Sequence, residues 1–166
     1  MDALFHFVFQ LVGGYVLLTG LKIRFNILIL ILLAFCSLLV DVEHIFTYLG
    51  IFGWLKLHTI FVVIIPSLIL LLLYFIKKGS YELYAYLLTF SVMLFGEILA
   101  DMITGMYGIP LLYPFSDTLY MIPKSWEICF FDNCSMKFVS THGIAMLIYF
   151  GVISLIILIK HFVRRD

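Results

Sequence analysis

The chain has 166 residues, of which 64% are hydrophobic and 12% charged, and its formal net charge is zero. Its mean hydropathy is +1.18. Soluble domains are usually about a quarter charged and about half apolar, so this composition predicts an integral membrane protein and argues against a soluble one. The neutral charge balance gives no reason to expect nucleic acid as a partner, or attachment to a lipid surface through a polybasic segment.

The chain begins with the apolar stretch "MDALFHFVFQLVGG", which has an acid near its start and contains His6 and Gln10. A secretory signal peptide starts with a basic region, so we expect this stretch to be retained as a first helix that partly faces protein.

A membrane span needs about 20 mostly apolar residues in a helix. Five segments meet this condition: residues 3–21, 25–41, 57–76, 82–103 and 138–160. The predicted fold is an all-α integral membrane protein, a bundle of about five transmembrane helices that forms one domain over residues 1–166.

Basic residues are distributed unequally between the two sides of the predicted bundle. Seven lie on the side of the C-terminus: Lys22, Arg24, Lys77, Lys78, Lys160, Arg164 and Arg165. Three lie on the opposite side: Lys56, Lys124 and Lys137. Because cytoplasmic loops are enriched in lysine and arginine, we predict a multi-pass protein of the plasma membrane with an external N-terminus and a cytoplasmic C-terminus.

Acidic residues and histidines gather at the predicted outer side. The acids on or near that side are Asp2, Asp41, Glu43, Glu97, Asp101, Asp117, Glu127 and Asp132. The histidines that map to it are His6, His44, His58 and His142. Four separate helix ends therefore bring ionisable groups to one membrane level. Ionisable groups at membrane depth are costly and usually functional.

The segment "DVEH" (41–44) ends the second predicted span with two carboxylates and an imidazole. Asp41 and Glu43 lie where the helix dipole is already negative, so they need compensation by water or by a cation. On a regular helix Asp41 and His44 share a face more readily than Asp41 and Glu43. These features favour a cation site at this helix end.

Three further residues are expected at the same level. Glu97 and Asp101 are four residues apart and so project from one face of the fourth span, and His58 starts the third span. Imidazoles together with carboxylates suit Zn²⁺, Mn²⁺ or Fe²⁺. Each residue alone also fits a structural role, such as an interfacial cap for His6, but the agreement of independent helix ends favours a shared site. His142 fits a site or helix packing equally well.

Residues 105–136 form the one long external loop, and long structured loops are usually functional. Its segment "GIPLLYPFS" (108–116) is too short to span a membrane and contains two prolines, so we expect a re-entrant or interfacial lid. Cys129 and Cys134 fit an external loop in which oxidation joins them, with free thiols or a metal role as alternatives. Cys36, deep in the second span, is expected only to pack.

These residues resemble those of a known family, the membrane-bound metal-dependent hydrolases, also described as LexA-binding inner-membrane-associated hydrolases. Its members look like D-x-D-H after an apolar run, then H-R-x-x-T-H, then H-x-x-x-D followed by a stretch similar to P-L-L-x-P-F-S. The similar residues here are His6, Asp41-Val42-Glu43-His44, His58, Glu97-Ile98-Leu99-Ala100-Asp101, Pro110 and Pro114. The resemblance covers about residues 1–116, and "ILADMITGMYGIPLLYPFS" is its most specific part.

The chain departs from the family pattern at four places, one of which is the arginine of H-R-x-x-T-H, which is missing here. Glu43 replaces the second acid of D-x-D-H, Glu97 replaces the histidine of H-x-x-x-D, and Gly53 lies near the place of a missing histidine. These changes either shift the preferred metal toward harder ions or mark a chain that has lost catalysis. The order of ligands is also loosely similar to that of zinc-dependent phospholipase C enzymes.

The residues and the resemblance together predict a membrane-embedded metal-dependent hydrolase that acts on an ester or phosphoester of a lipid or another amphiphile. The predicted cofactor is one or two divalent metals, with zinc favoured over manganese or iron. The predicted metal ligands are His6, Asp41, His44, His58 and Asp101. Glu43 and Glu97 are the candidate general bases. The expected partners are membrane lipids and an amphiphilic substrate.

Two other classes of protein remain open from the sequence. One is a transporter or ion pathway, although the inner half of each predicted span offers few polar groups. The other is a non-catalytic membrane scaffold with a structural metal. Ion uptake into liposomes would identify the first, and chelation that melts the fold without loss of any activity would identify the second.

Overall fold

The computed structural model describes residues 3–50, 56–76, 80–104, 108–129 and 137–163. Its α-helices are α1 (Ala3–Gly20), α2 (Ile27–Ser37), α3 (Val42–Tyr48), α4 (Ile60–Ile76), α5 (Tyr81–Thr104) and α6 (Thr141–Val163). A 3₁₀ segment, Leu38–Asp41, joins α2 to α3, and a second one covers Lys124–Trp126. Two short antiparallel strands, β1 (Ile128–Cys129) and β2 (Lys137–Val139), precede α6.

The structure is helical as predicted, with the strand pair as an addition in the long loop. Two helices contain stretches long and apolar enough to cross a membrane, Tyr81–Met102 in α5 and Thr141–Phe162 in α6. Three other apolar helical stretches in the described residues are shorter: Leu4–Gly20, Ile27–Asp41 and Ile60–Ile76. Because a straight span takes about 20 residues, helix length alone does not confirm the predicted five spans.

Two helices begin later than predicted because side chains cap them. Asn26 accepts a hydrogen bond from the backbone N–H of Leu28 at 2.9 Å, so α2 begins at residue 27 and not at 25. The hydroxyl of Ser140 accepts one from the backbone N–H of Gly143 at 3.2 Å, and α6 begins at the next residue after Ser140. Residues 138 and 139, predicted as helix, belong to β2.

The helix α5 lies at the centre of the bundle and packs against α1, α2, α4 and α6. In its apolar stretch 61% of the residues are buried, compared with 17% in that of α6. Side chains buried in the core include Leu17, Leu30, Met93, Tyr149 and Ile153. Large apolar side chains such as Leu28, Leu72 and Leu147 are exposed on the outside. Such an outer surface suits contact with lipid chains, which are as apolar as leucine.

Along the chain, α1, α2, α4, α5 and α6 run in alternating directions, so each end of the bundle collects groups from several helices. We call one end the acidic end, where His6, Asp41, His58 and Asp101 meet. The opposite, basic end is defined by Lys22, Arg24 and Lys160. At the basic end, Tyr84 Oη donates a hydrogen bond to Leu73 O at 2.9 Å, which joins the start of α5 to the last turn of α4.

The loop after α5 folds back over the acidic end. Ile109 and Tyr120 form an antiparallel bridge, and the backbone N–H of Ile60, the first residue of α4, donates to Leu111 O at 2.9 Å. Residues 111–115 form turns and no helix. Of the two predicted forms of the "GIPLLYPFS" segment, this geometry favours the interfacial lid.

The cysteines fall into two classes. Cys129, in β1, is disulfide-bonded. Cys134, its predicted partner, lies outside the described residues. Cys36 is a free thiol in α2, as expected for a cysteine that only packs.

Glu127 anchors the strand pair to the start of α6. Its carboxylate accepts hydrogen bonds from Lys137 Nζ at 2.7 Å and from the backbone N–H of Thr141 at 3.1 Å. These two donors hold the pKa of the Glu127 carboxyl below its ordinary value. The negative charge at the N-terminus of α6 also agrees with the helix dipole.

Candidate metal centre

His6 lies near the start of α1 and faces the last two turns of α5. Its Nδ1 atom lies 2.6 Å from Glu97 Oε1, and its Nε2 atom lies 3.7 Å from Asp101 Oδ1. The contact of both acids with one imidazole confirms that they project from the same face of α5. His6 and Glu97 are 2% and 0% exposed, so their hydrogen bond is shielded from water.

Asp41, Glu43 and His58 form the second half of the cluster. Glu43 Oε1 lies 2.7 Å from His58 Nδ1, and Asp41 Oδ1 lies 3.2 Å from His58 Nε2. The sequence favoured a face shared by Asp41 and His44 over one shared by Asp41 and Glu43. The 3₁₀ segment Leu38–Asp41 ends at Asp41, whereas Glu43 lies in the first turn of α3, so the two acids do not follow one regular helix and both reach the same histidine.

Glu43 also determines where α4 begins. Its Oε2 atom accepts hydrogen bonds from the backbone N–H groups of Leu57 and, at 3.3 Å, of His58. Because these residues bond to Glu43, α4 begins at Ile60 and not at residue 57 as predicted. Burial acts to raise the pKa of the Glu43 carboxyl, but the bonds from the His58 ring and from Leu57 outweigh it and hold that pKa below its ordinary value.

The two histidines of the cluster are bonded in the same way. An ionised carboxylate only accepts hydrogen bonds, so Nδ1 of each ring bears the hydrogen that bonds to its glutamate. The same holds for His58 Nε2, which lies 3.2 Å from Asp41 Oδ1, and a cation bound there would replace that hydrogen. The Nε2 atom of His6 then faces Asp101, and that of His58 faces both Asp41 and Asp101. Metal-binding histidines usually have this form, with one ring nitrogen bonded to a carboxylate and the other directed at the metal.

The donor set fits a divalent cation. Four carboxylates face two imidazoles, so negative charge remains in excess even when both imidazoles are protonated. Asp101 Oδ2 is buried, and His58 Nε2 is the one polar atom that it contacts among the described residues. His6, Asp41 and Asp101 present ligand atoms within 4.8 Å of one another. Zinc, manganese and iron all accept such nitrogen and oxygen ligands.

Two buried residues that the sequence did not assign to the site support Glu97. Gln10 Nε2 donates to Glu97 Oε2 at 2.8 Å, and Tyr149 Oη donates to Gln10 Oε1 at 3.1 Å. Two glycines leave room for the tyrosine: a Cβ on Gly96 would lie 2.6 Å from its ring, and a Cβ on Gly13 would overlap its hydroxyl. The sequence could have pointed to Gln10, because its side-chain amide lies inside an apolar helix, where a buried polar group needs a hydrogen-bond partner.

A family model described as YdjM inner membrane protein matches residues 1–165. This chain belongs to the YdjM inner membrane protein family. No curated protein and no solved structure matches the chain. The family match confirms that this is a membrane protein and supports its resemblance to an inner-membrane family. Hydrolase activity and LexA binding, which the resemblance implies, stay predictions.

In this YdjM family member, six of the seven predicted site residues meet at the acidic end: His6, Asp41, Glu43, His58, Glu97 and Asp101. The side chain of the seventh, His44, lies outside the described residues. His142 is exposed in the first turn of α6 and makes no hydrogen bond or ion pair with the cluster in the described part of the chain.

The predicted general bases occupy an unexpected place. Glu43 and Glu97 are 8% and 0% exposed and lie behind the histidines, bonded to Nδ1. The two aspartates are more accessible, with side chains 28% exposed for Asp41 and 14% for Asp101. The aspartates therefore form the opening of the cluster, and the glutamates form its base.

Proposed function

We propose that this protein is a membrane-embedded metal-dependent hydrolase that cleaves an ester or phosphoester of a lipid or another amphiphile at the outer membrane face. The observation that supports this most directly is the pair of buried histidines, each bonded through Nδ1 to a glutamate and directed through Nε2 at the aspartates. Zn²⁺ is the favoured metal, and Mn²⁺ or Fe²⁺ would suit the same donors.

Each side chain has a distinct role in this proposal. Four side chains would hold the metal: His6, His58, Asp41 and Asp101. Glu43 and Glu97 would orient the imidazoles and keep Nε2 as the ligand atom. A bound divalent ion lowers the pKa of a coordinated water from about 16 to about 7 and so supplies a nucleophile at neutral pH. Asp41, the more exposed aspartate, would bind the metal at the opening of the cluster, where a substrate can reach it.

An apolar groove beside the cluster supports an amphiphilic substrate. The groove has a volume of about 300 Å³ and lies between α2, α4 and α5. Its lining includes Val40 and Leu57, the sequence neighbours of Asp41 and His58. Leu39, also in the lining, is 59% exposed on the outside of the bundle, so the groove can be reached from the bilayer. A lipid chain in this groove would bring its ester end to the aspartates.

The loop over the acidic end provides a second argument for an amphiphile. In the described part of this loop, the large exposed apolar side chains are Leu112, Phe115, Leu119, Met121, Trp126 and Ile128. The side chain of Phe115 is 83% exposed, and the centroid of its ring lies 5.6 Å from that of Phe61 in α4. Aromatic and apolar side chains at this level suit the membrane interface. The loop would therefore contact the same lipids from which a substrate is drawn.

We also propose five membrane spans, with an external N-terminus and a cytoplasmic C-terminus. The alternating helix directions support this number, although α1, α2 and α4 would need a locally thin bilayer. Lys22, Arg24 and Lys160 at one end, and the disulfide-bonded Cys129 near the other, support the orientation. A fluorescent protein fused to the C-terminus should fold and fluoresce in the cytoplasm. Its failure to do so, with alkaline phosphatase activity at the same position, would reverse the topology.

Metal analysis of the purified protein tests the centre of the proposal. After loading with zinc and removal of excess, the wild type should retain about one or two ions per chain. His58→Ala and Asp101→Ala should retain almost none, because each removes a ligand directed at the metal. His142→Ala and His161→Ala, which change exposed histidines elsewhere, serve as matched controls and should behave like the wild type. Zinc content near zero in every protein would refute the metal site.

A hydrolysis screen then separates an enzyme from a scaffold. The metal-loaded protein should cleave at least one lipid in a panel that varies the head-group ester and phosphoester, and chelation should abolish the cleavage. Asp101→Ala should be inactive at any zinc concentration that leaves it folded. A metal-loaded protein that cleaves nothing in the panel would refute the hydrolase and leave a structural metal.

A further inference from the structure

Lys160 occupies an unusual place in the last turn of α6. Its Nζ atom is buried and has no hydrogen-bond partner among the described residues. It lies 5.2 Å from the centroid of the Tyr81 ring at the start of α5. A lysine near the end of a membrane helix usually extends to water. The face of an aromatic ring offers only part of the compensation that a buried ammonium group needs.

Lys160 lines an apolar groove at the basic end. This groove has a volume of about 320 Å³ and lies among side chains of α4, α5 and α6, including Leu70, Leu88 and Ile156. Lys160 is the only charged residue in the described lining. A second groove of about 560 Å³ shares Leu70, Tyr81 and Tyr84 with the first. The positive charge of Lys160 therefore lies beside two adjoining apolar grooves.

We propose that this pair of grooves, the basic-end grooves, binds an anionic phospholipid. The phosphate of the lipid contacts Lys160 Nζ, and its acyl chains lie in the two grooves. Charge complementarity selects the head group, because an anionic phosphate supplies the partner that the buried Lys160 ammonium group lacks among the described residues. The apolar lining selects a lipid over a soluble anion, which would leave both grooves unfilled. The site is at the opposite end of the bundle from the metal cluster and does not depend on the proposed hydrolase.

Native mass spectrometry of the full chain in detergent tests this site. The protein is titrated with phosphatidylglycerol or with phosphatidylcholine of the same acyl chains. The wild type should bind phosphatidylglycerol about tenfold more tightly, as expected for one additional charge-assisted contact. Lys160→Gln should lose most of this preference, and Lys160→Arg should keep it. Lys22→Gln, a change of an exposed lysine at the same end, is the matched control and should bind like the wild type.

Several outcomes would overturn the proposal. One is equal binding of the two lipids by the wild type, and another is an unchanged preference in Lys160→Gln. A third is displacement of phosphatidylglycerol by millimolar inorganic phosphate, which would identify the ligand as a soluble anion. Circular dichroism and size-exclusion profiles of Lys160→Gln that match the wild type ensure that a lost preference reports the lipid contact and not a lost fold.

Discussion

Replacing Glu97 with glutamine tests the way in which His6 is held. Glu97 accepts two hydrogen bonds, from His6 Nδ1 at 2.6 Å and from Gln10 Nε2 at 2.8 Å. Glutamine has nearly the same shape but offers one carbonyl oxygen and one NH₂ group. One of the two donors in Glu97→Gln would therefore face another donor, and the imidazole would lose its fixed orientation.

The size of the effect follows from the bond that is lost. A hydrogen bond to a charged group contributes about 1.5–3 kcal/mol, and each 1.4 kcal/mol corresponds to a tenfold change in affinity. Removing the carboxylate behind a metal-binding histidine weakens metal affinity by about 10- to 100-fold, which agrees with this range. Zinc should therefore stabilise Glu97→Gln against unfolding by about 1.4–2.7 kcal/mol less than it stabilises the wild type.

The assay is a zinc titration against a chelating dye in detergent, at one pH, with thermal unfolding measured with and without zinc. Glu127→Gln is the matched control, because Glu127 bonds to Lys137 and Thr141 and does not contact the cluster. It should bind zinc like the wild type. Wild-type zinc affinity in a folded Glu97→Gln protein would refute the claim that Glu97 orients His6 for a metal.

Two further predictions concern the surroundings of the site, and a third concerns Glu127 at the start of α6. Tyr149→Phe leaves Gln10 Oε1 buried without its donor, so thermal unfolding should show a loss of about 1–3 kcal/mol, and an unchanged transition would contradict the hydrogen bond. Gly96→Ala places a methyl group 2.6 Å from the Tyr149 ring and should cost about 1–3 kcal/mol of unfolding free energy, whereas Gly151→Ala on α6, with nothing within 4 Å, should cost much less. Since the pKa of Glu127 is held below its ordinary 4.5, its stabilising contacts are present at neutral pH and are lost as the pH falls through the lowered value. The amide NMR signal of Thr141 should therefore titrate with a midpoint below 4.5, and a midpoint at or above 4.5 would exclude the bond to Glu127.

The sequence predicted that the residues of the cluster meet at one end of the bundle, but it did not predict which carboxylate bonds to which histidine. Hydropathy places His6, Asp41, His58 and Asp101 at the ends of apolar segments, and alternating helix directions bring those ends to one level. Which carboxylate bonds to which ring nitrogen depends on the 3₁₀ segment Leu38–Asp41, and no sequence pattern marked it. Glu43 and Glu97 were predicted as general bases from the chemistry of the carboxyl group alone. No sequence pattern indicated that both lie behind the histidine rings.

The contribution of Tyr149 was hidden for a related reason. A tyrosine within an apolar helix resembles many residues that face lipid or pack in a core. Its hydroxyl reaches Gln10 only because Gly13 and Gly96, on two other helices, leave a space at the same height. Such a match between three helices is a property of packing and is not visible in any single segment.

The sequence predicted which segments form helices, but it did not predict the residues at which several of them begin. Hydropathy averages over about 20 residues, whereas single side chains set the ends: Asn26 for α2 and Ser140 for α6. The start of α4 depends on Glu43, which is 14 residues from Leu57 along the chain. The strand β1 has only two residues, too few for an alternating pattern to appear.

The hydrogen bonds that Glu43 accepts from the chain just before α4 have a practical consequence for imaging. Because they fix both flanks of the intervening segment, that segment can be lengthened at a small entropic cost, about 0.6 kcal/mol for each doubling. Gly50 lies within it, and a Cβ there would meet no described residue within 4 Å, while the nearby Tyr48 is 90% exposed. A rigid soluble domain inserted at Gly50 would give this 19.2 kDa protein the extra mass and shape needed for particle alignment in electron cryomicroscopy.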